Sequence, residues 1–133
     1  ITTLGFEFNM GYKFYLGSFN THQINIGFSN INDDLKETEF NFSRYALNSL
    51  KNQITSTYSF ELNSKISSTI AFKNAKRLNE ENYTVLDFKT SYKYEKLTLS
   101  IILNNILDTE YTETNLVPMP GFNSLIGIKY SIN

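Results

Sequence analysis

The sequence predicts an all-β fold: an antiparallel up-and-down transmembrane β-barrel segment of about seven strands. Three observations point there. Apolar and polar residues alternate with a period of two along seven stretches. Short and long connections alternate between those stretches, and aromatic residues gather near one end of every second stretch. Helical spacing is nearly absent.

The first strand, near 2–14, places Leu4, Phe6, Phe8, Met10, Tyr12 and Phe14 on one side and Gly5, Glu7, Asn9, Gly11 and Lys13 on the other. The second, near 23–30, alternates Ile24, Ile26 and Phe28 with Asn25, Gly27 and Ser29. The third, near 48–62, sets Leu50, Ile54, Tyr58, Phe60 and Leu62 against Lys51, Gln53, Thr55, Thr57, Ser59 and Glu61. The fourth, near 65–73, sets Ile66, Ile70 and Phe72 against Lys65, Ser67, Thr69 and Lys73. The fifth, near 85–94, sets Leu86, Phe88, Tyr92 and Tyr94 against Asp87, Lys89, Ser91 and Lys93. The sixth, near 97–104, carries Leu97, Leu99, Ile101 and Leu103; the seventh, near 125–132, carries Ile126, Ile128, Tyr130 and Ile132. Val, Ile, Thr, Tyr and Phe dominate these stretches, as a pleated, half-buried surface favours. Ten residues at roughly 3.4 Å each, tilted by about 45°, span about 24 Å, close to the apolar band of a membrane barrel.

The connections sort by length. Tyr15–His22, Asn63–Ser64 and Glu95–Lys96 are the shorter set; Ile31–Leu47, Asn74–Thr84 and Asn105–Asn123 are the longer set. Short turns at one end and long loops at the other are the habit of outer-membrane barrels. Tyr12, Phe14, Tyr58, Phe60, Tyr92, Tyr94 and Tyr130 would form an aromatic band at the short-turn end, where rings with one wet edge suit a membrane interface. With the apolar side against lipid, Lys65, Lys89, Lys93 and Lys129 face a lumen. An open sheet of seven strands would leave unpaired backbone in hydrocarbon, each group costing several kcal/mol. The reading therefore expects further strands, from the same polypeptide or another chain.

Composition excludes several classes. With 12 Lys+Arg against 13 Asp+Glu, the net charge of −1 gives no basic surplus for nucleic acid. No Cys means no disulfide framework or thiolate site, and a single His leaves no multi-His metal centre or imidazole triad. The mean hydropathy is −0.30, and no apolar run reaches the roughly 20 residues of a membrane helix. His22 reads as a solvated turn residue. Asp33, Asp34, Glu37 and Glu39 lack the spacing of a calcium loop. Pro118 and Pro120 read as loop stiffeners. The expectation is a protein that is no enzyme and has no cofactor, metal or catalytic residues.

Four segments carry a family resemblance. Asn105-Ile106-Leu107-Asp108-Thr109-Glu110-Tyr111, Val117-Pro118-Met119-Pro120-Gly121, Gly127-Ile128-Lys129-Tyr130-Ser131-Ile132 and the stretch Ser43–Gln53 resemble, in order and spacing, the C-terminal barrel of TonB-dependent outer-membrane receptors of the cobalamin and siderophore kind. Phe122 stands where the family usually has Arg, and Ile132 where it has a terminal aromatic. The resemblance implies the last seven strands of a 22-stranded barrel in the outer membrane of a Gram-negative bacterium. It implies a transporter that imports a scarce ligand: a siderophore, cobalamin, glycan or peptide. It also implies partners: outer-membrane lipid, the remaining strands and a plug, and an inner-membrane energy-coupling protein reached through a missing N-terminal part. Ligand contacts would come from outer loops at Arg44, Tyr45, Arg77, Glu110 and Tyr111. Two alternatives stay open: a soluble lipid-binding β-barrel, or a barrel fragment with a structural role in an envelope complex.

Overall fold

A computed structural model of the chain describes residues 2–18, 20–34, 50–78, 80–113 and 117–132. Seven strands follow one another: β1 (Thr2–Tyr15), β2 (Asn20–Asp34), β3 (Leu50–Leu62), β4 (Ile66–Arg77), β5 (Tyr83–Tyr94), β6 (Leu97–Asn104) and β7 (Asn123–Tyr130). Each pairs antiparallel with the next, in the order β1-β2-β3-β4-β5-β6-β7. The sheet is a single meander.

The turns follow from local chemistry. Asn63 and Ser64 take φ of 50° and 53°, and the Lys65 N–H donates to the Leu62 carbonyl at 3.0 Å. Two successive left-handed residues make the two-residue hairpin whose twist matches its strands. At the β5–β6 turn, Glu95 takes φ of 50°. Gly17, at φ 75°, turns the chain between β1 and β2, and the Leu16 N–H donates to the Asn20 carbonyl at 3.1 Å.

The expectation of a transmembrane β-barrel segment is corrected. Closure needs the first and last strands to find partners on their outer sides. Here β1 and β7 are the two free edges of an open, uncurled sheet. The physical reason is that two-residue alternation decides which side of a strand is apolar. A flat sheet and a closed one satisfy it equally.

Strand ends also differ from the sequence reading. β4 runs on to Arg77 and β5 starts at Tyr83, so the supposed long connection 74–84 shrinks to residues 78–82. Asn74 and Lys76 interrupt the apolar alternation, yet the ladder continues through Asn74↔Thr84 and Ala75↔Tyr83 because backbone hydrogen bonds need no apolar side chain. That connection is now nearer in length to the short turns than to the two long loops. A register shift between Leu50 and Asn52 sets Leu50 opposite Arg77. Leu50 thus leaves the apolar side and packs with Ala75, Tyr83, Val85 and Tyr111 on the other.

That small cluster is the core. Among the described residues, the buried hydrophobics are Ala75, Tyr83 and Val85. Among the described residues, nothing packs upon the apolar side of the sheet.

Candidate functional site

Directly opposed residues share a face, so the register reads out the apolar surface row by row. Tyr12, Ile24, Tyr58, Ile70, Phe88 and Leu103 form one row. Met10, Ile26, Ser56, Phe72 and Leu86 form the next. Phe8, Phe28, Ile54, Asn74 and Thr84 follow, and there the face turns polar. Asn30 donates to Asn52, and Asn74 donates to Thr84 at 2.8 Å. The surface is thus a band, closed on one side by cross-strand amides and hydroxyls. Between its limits it carries no Asp, Glu, Lys or Arg.

Aromatic rings bound the other side. Phe14 and Phe60 share a row with His22 between them, and Tyr12 and Tyr58 share the adjacent row. His22 is corrected from a solvated turn to a buried strand residue, 7% exposed. Its ring stacks on Phe14 at 5.1 Å and 12°, and its Nδ1 shares a 2.8 Å hydrogen bond with the Tyr58 hydroxyl. Strand β2 begins at Asn20, which puts position 22 inside the ladder. Tyr92 lies opposite Ile66 and Leu99; Tyr94 and Tyr130 both lie opposite Leu97. These three sit on the β5–β7 side of the sheet, one and two rows closer to the turns than the Phe14–Phe60 row. The aromatic border therefore follows the line of the hairpin ends.

The opposite face holds the lysines. The Lys93 N–H donates to the Lys65 carbonyl at 2.7 Å, and Thr98 lies opposite both Lys93 and Lys129. Lys65, Lys93 and Lys129 thus run in one row, while Lys89 lies opposite Thr69 and Ile102. All four are exposed.

At the far end of this face, the β6–β7 segment folds back onto the sheet. Asn105 anchors it. Its amide donates to the carbonyls of Thr109 at 2.9 Å and Pro120 at 3.2 Å, and its Oδ1 accepts from the Thr109 N–H at 3.0 Å. Its own N–H donates to Asp87 at 2.8 Å. Asp108 accepts from the Phe122 N–H at 2.7 Å; a Cβ on Gly121 would come within 2.6 Å of that carboxylate and displace it. The Thr109 hydroxyl donates to the Thr84 carbonyl at 2.6 Å.

This knot delivers Tyr111 onto Tyr83, centroids 4.7 Å apart. The Lys73 ammonium lies 5.5 Å and 5.3 Å from those two rings and pairs with Glu113. Burial works to lower the Lys73 pKa. The Glu113 hydrogen bond and the neighbouring Tyr83, Glu113 and Tyr111 outweigh it, and the net shift is upward. Burial pushes the Tyr111 phenol up as well.

Of the ligand contacts expected from sequence, Arg44 and Tyr45 lie outside the described residues, as do Glu37 and Glu39. Arg77 is half-buried at the end of β4, opposite Leu50. Glu110 is exposed, and Tyr111 is spent on Tyr83. The structure brings Arg77 and Tyr111 to one end of the sheet and adds Lys73, Tyr83 and Glu113. Sequence reasoning missed that set because Tyr83 sat in a supposed loop. A weaker signal was there: Tyr83 and Val85 are strand-favouring residues two apart that continue β5 backwards, on the side of Asp87 rather than on the apolar side.

No family model matches the chain, and no curated protein or solved structure matches it either. The resemblance to TonB-dependent receptors is corrected on that finding and on the open sheet. With it go the transport and receptor function, the 22-stranded barrel, the outer-membrane and transmembrane descriptors drawn from it, and both barrel alternatives. The motif Asn105–Tyr111 has a structural explanation in its place, as the loop anchor. Among the described residues, no helix is long and apolar enough to cross a membrane, and no group of three or more His, Asp or Glu is placed to hold a metal.

Proposed function

We propose that this chain is a non-catalytic, lipid-facing sheet whose apolar band lies against the acyl chains of a membrane. The observation that carries the reading is the apolar band, which none of the described residues covers. Phe6, Phe8, Met10, Ile54, Ile70, Leu99, Ile101 and Ile128 are all exposed, and the band is bordered by Tyr and His rings on one side and by amides on the other. Monomers in water rarely leave an apolar surface of that extent uncovered. A slab of hydrocarbon with wet borders supports this layout: apolar side chains centrally, amphipathic rings where lipid meets water.

The test is flotation of the purified chain with phosphatidylcholine vesicles, combined with nitroxide labels on both faces. A label at Ile70 is expected to be reached by a lipid-soluble quencher, and a label at Thr69 by a water-soluble one. A chain that stays in solution as a monomer beside vesicles, or labels that show no difference between faces, would sink the reading.

A further inference from the structure

The apolar band holds one side chain able to change its charge near neutral pH. The chain has one His and no Cys. Imidazole is the side chain that ordinarily gains or loses its charge between about pH 5 and 8. Between its limits the band carries no Asp, Glu, Lys or Arg, so His22 decides whether this face is neutral or charged. The ring does not stand at the wet margin. One further row, Leu62, Ile66 and Tyr92, lies between it and the turns.

The fold holds that ring so that it can be charged without leaving its place. Phe14 from β1 and Phe60 from β3 lie directly opposite it and stack on it, with centroids 5.1 Å and 6.2 Å away. The face of an aromatic ring attracts a cation. Nδ1 lies 2.8 Å from the Tyr58 hydroxyl. A neutral imidazole accepts from that hydroxyl or donates to it, and an imidazolium donates, so the hydrogen bond survives protonation. Among the described residues, Tyr12 from β1 and Tyr58 from β3 are the other titratable groups on this face beside the ring. Lys13 and Glu61, next in sequence to Phe14 and Phe60, lie on the opposite side of the sheet, across from Gln23 and Thr21. Ser68 of β4, opposite Phe60, adds no charge.

We propose, on the premise of the lipid-facing reading, that His22 is a pH-sensitive release switch for the apolar band. With the imidazole neutral, the face meets hydrocarbon as an uncharged surface. A second proton places a positive charge within the band, with no carboxylate on that face beside it. Water solvates that charge and hydrocarbon does not, so the proton weakens contact with lipid while the sheet stays paired. Linkage fixes the sign: a surface that binds lipid in its deprotonated form loses affinity as pH falls.

The experiment is flotation of the full chain with phosphatidylcholine vesicles from pH 8 to pH 5, a range in which that headgroup stays zwitterionic. Binding is expected at pH 8 and falls about tenfold by pH 5, reversibly, with the far-ultraviolet circular dichroism of a sheet unchanged. His22→Phe keeps a flat ring between Phe14 and Phe60 and is expected to bind equally across the range. His22→Gln, which keeps an uncharged polar group toward Tyr58, is expected to do the same, so the test does not depend on one variant folding. Equal binding of the native chain at pH 8 and pH 5 would overturn the proposal. So would an acid loss that persists in the variants, or one that accompanies loss of the sheet signal. Flotation that ignores pH removes this proposal alone; no flotation at any pH removes the lipid-facing reading and the switch with it.

Discussion

Asn105 shows how much one side chain can organise. It is 3% exposed and satisfies groups of Thr109 and Pro120 at once while its φ sits at 49°, a conformation asparagine tolerates better than most residues. Asn105→Ala removes three hydrogen bonds and leaves the half-buried Thr109 without its side-chain partner. It is expected to destabilise the fold by about 2–4 kcal/mol in denaturant titration, with faster amide exchange at Thr109 and Phe122. Glu95 is the opposite case, a non-glycine residue at φ 50° in a tight turn. Glu95→Gly is expected to raise stability by ~1 kcal/mol in the same titration, since glycine enters that region without a Cβ penalty. The type of residue at these positions is legible in sequence. Their roles are not: Asn105 acts through Pro120 fifteen residues away, and His22 is buried because Phe14 and Phe60 come from other strands.

At the scale of the element, the β6–β7 segment is held by the Tyr83–Tyr111 stack and by Lys73 with Glu113. Lys73 and Tyr111 both have pKa values raised in the folded state. The stability each contributes is fully present below its unfolded pKa, about 10 for either group, and is lost as pH rises through the folded values. The latch is therefore expected to hold through neutral pH and to loosen only above about pH 10. A near-ultraviolet circular dichroism titration reads this, and Tyr111→Phe should remove the tyrosine's share of the alkaline loss. A double-mutant cycle on Lys73 and Glu113 is expected to give a coupling of about 0.5–1 kcal/mol, as the pair is partly exposed. The seven strands could be read from alternation wherever side chains on one side were apolar. Their extensions, Asn74 to Arg77 and Tyr83 to Thr84, break the apolar alternation and could not, because ladder pairing there is carried by the backbone.

At the scale of the molecule, the sheet has one apolar band and a core of only a few residues on its other side. Placing a charge in the middle of the band tests what the band is for. Ile70→Asp or Phe72→Asp is expected to lower vesicle affinity roughly tenfold or more, given the about 1.5–3 kcal/mol that burying such a side chain contributes. Ser67→Asp, on the other face, is expected to leave it unchanged. An equal loss for all three would remove the connection between the band and lipid. By itself, the sequence determined the antiparallel meander, the two-residue turns and the two unlike faces, because strand periodicity and turn chemistry are local properties. Only the tertiary structure decided that the sheet stays open, that Leu50 changes sides at a bulge, and that His22 and Tyr111 are packed rather than presented. Each of those depends on pairing or contact between residues far apart in the chain, which no local pattern encodes.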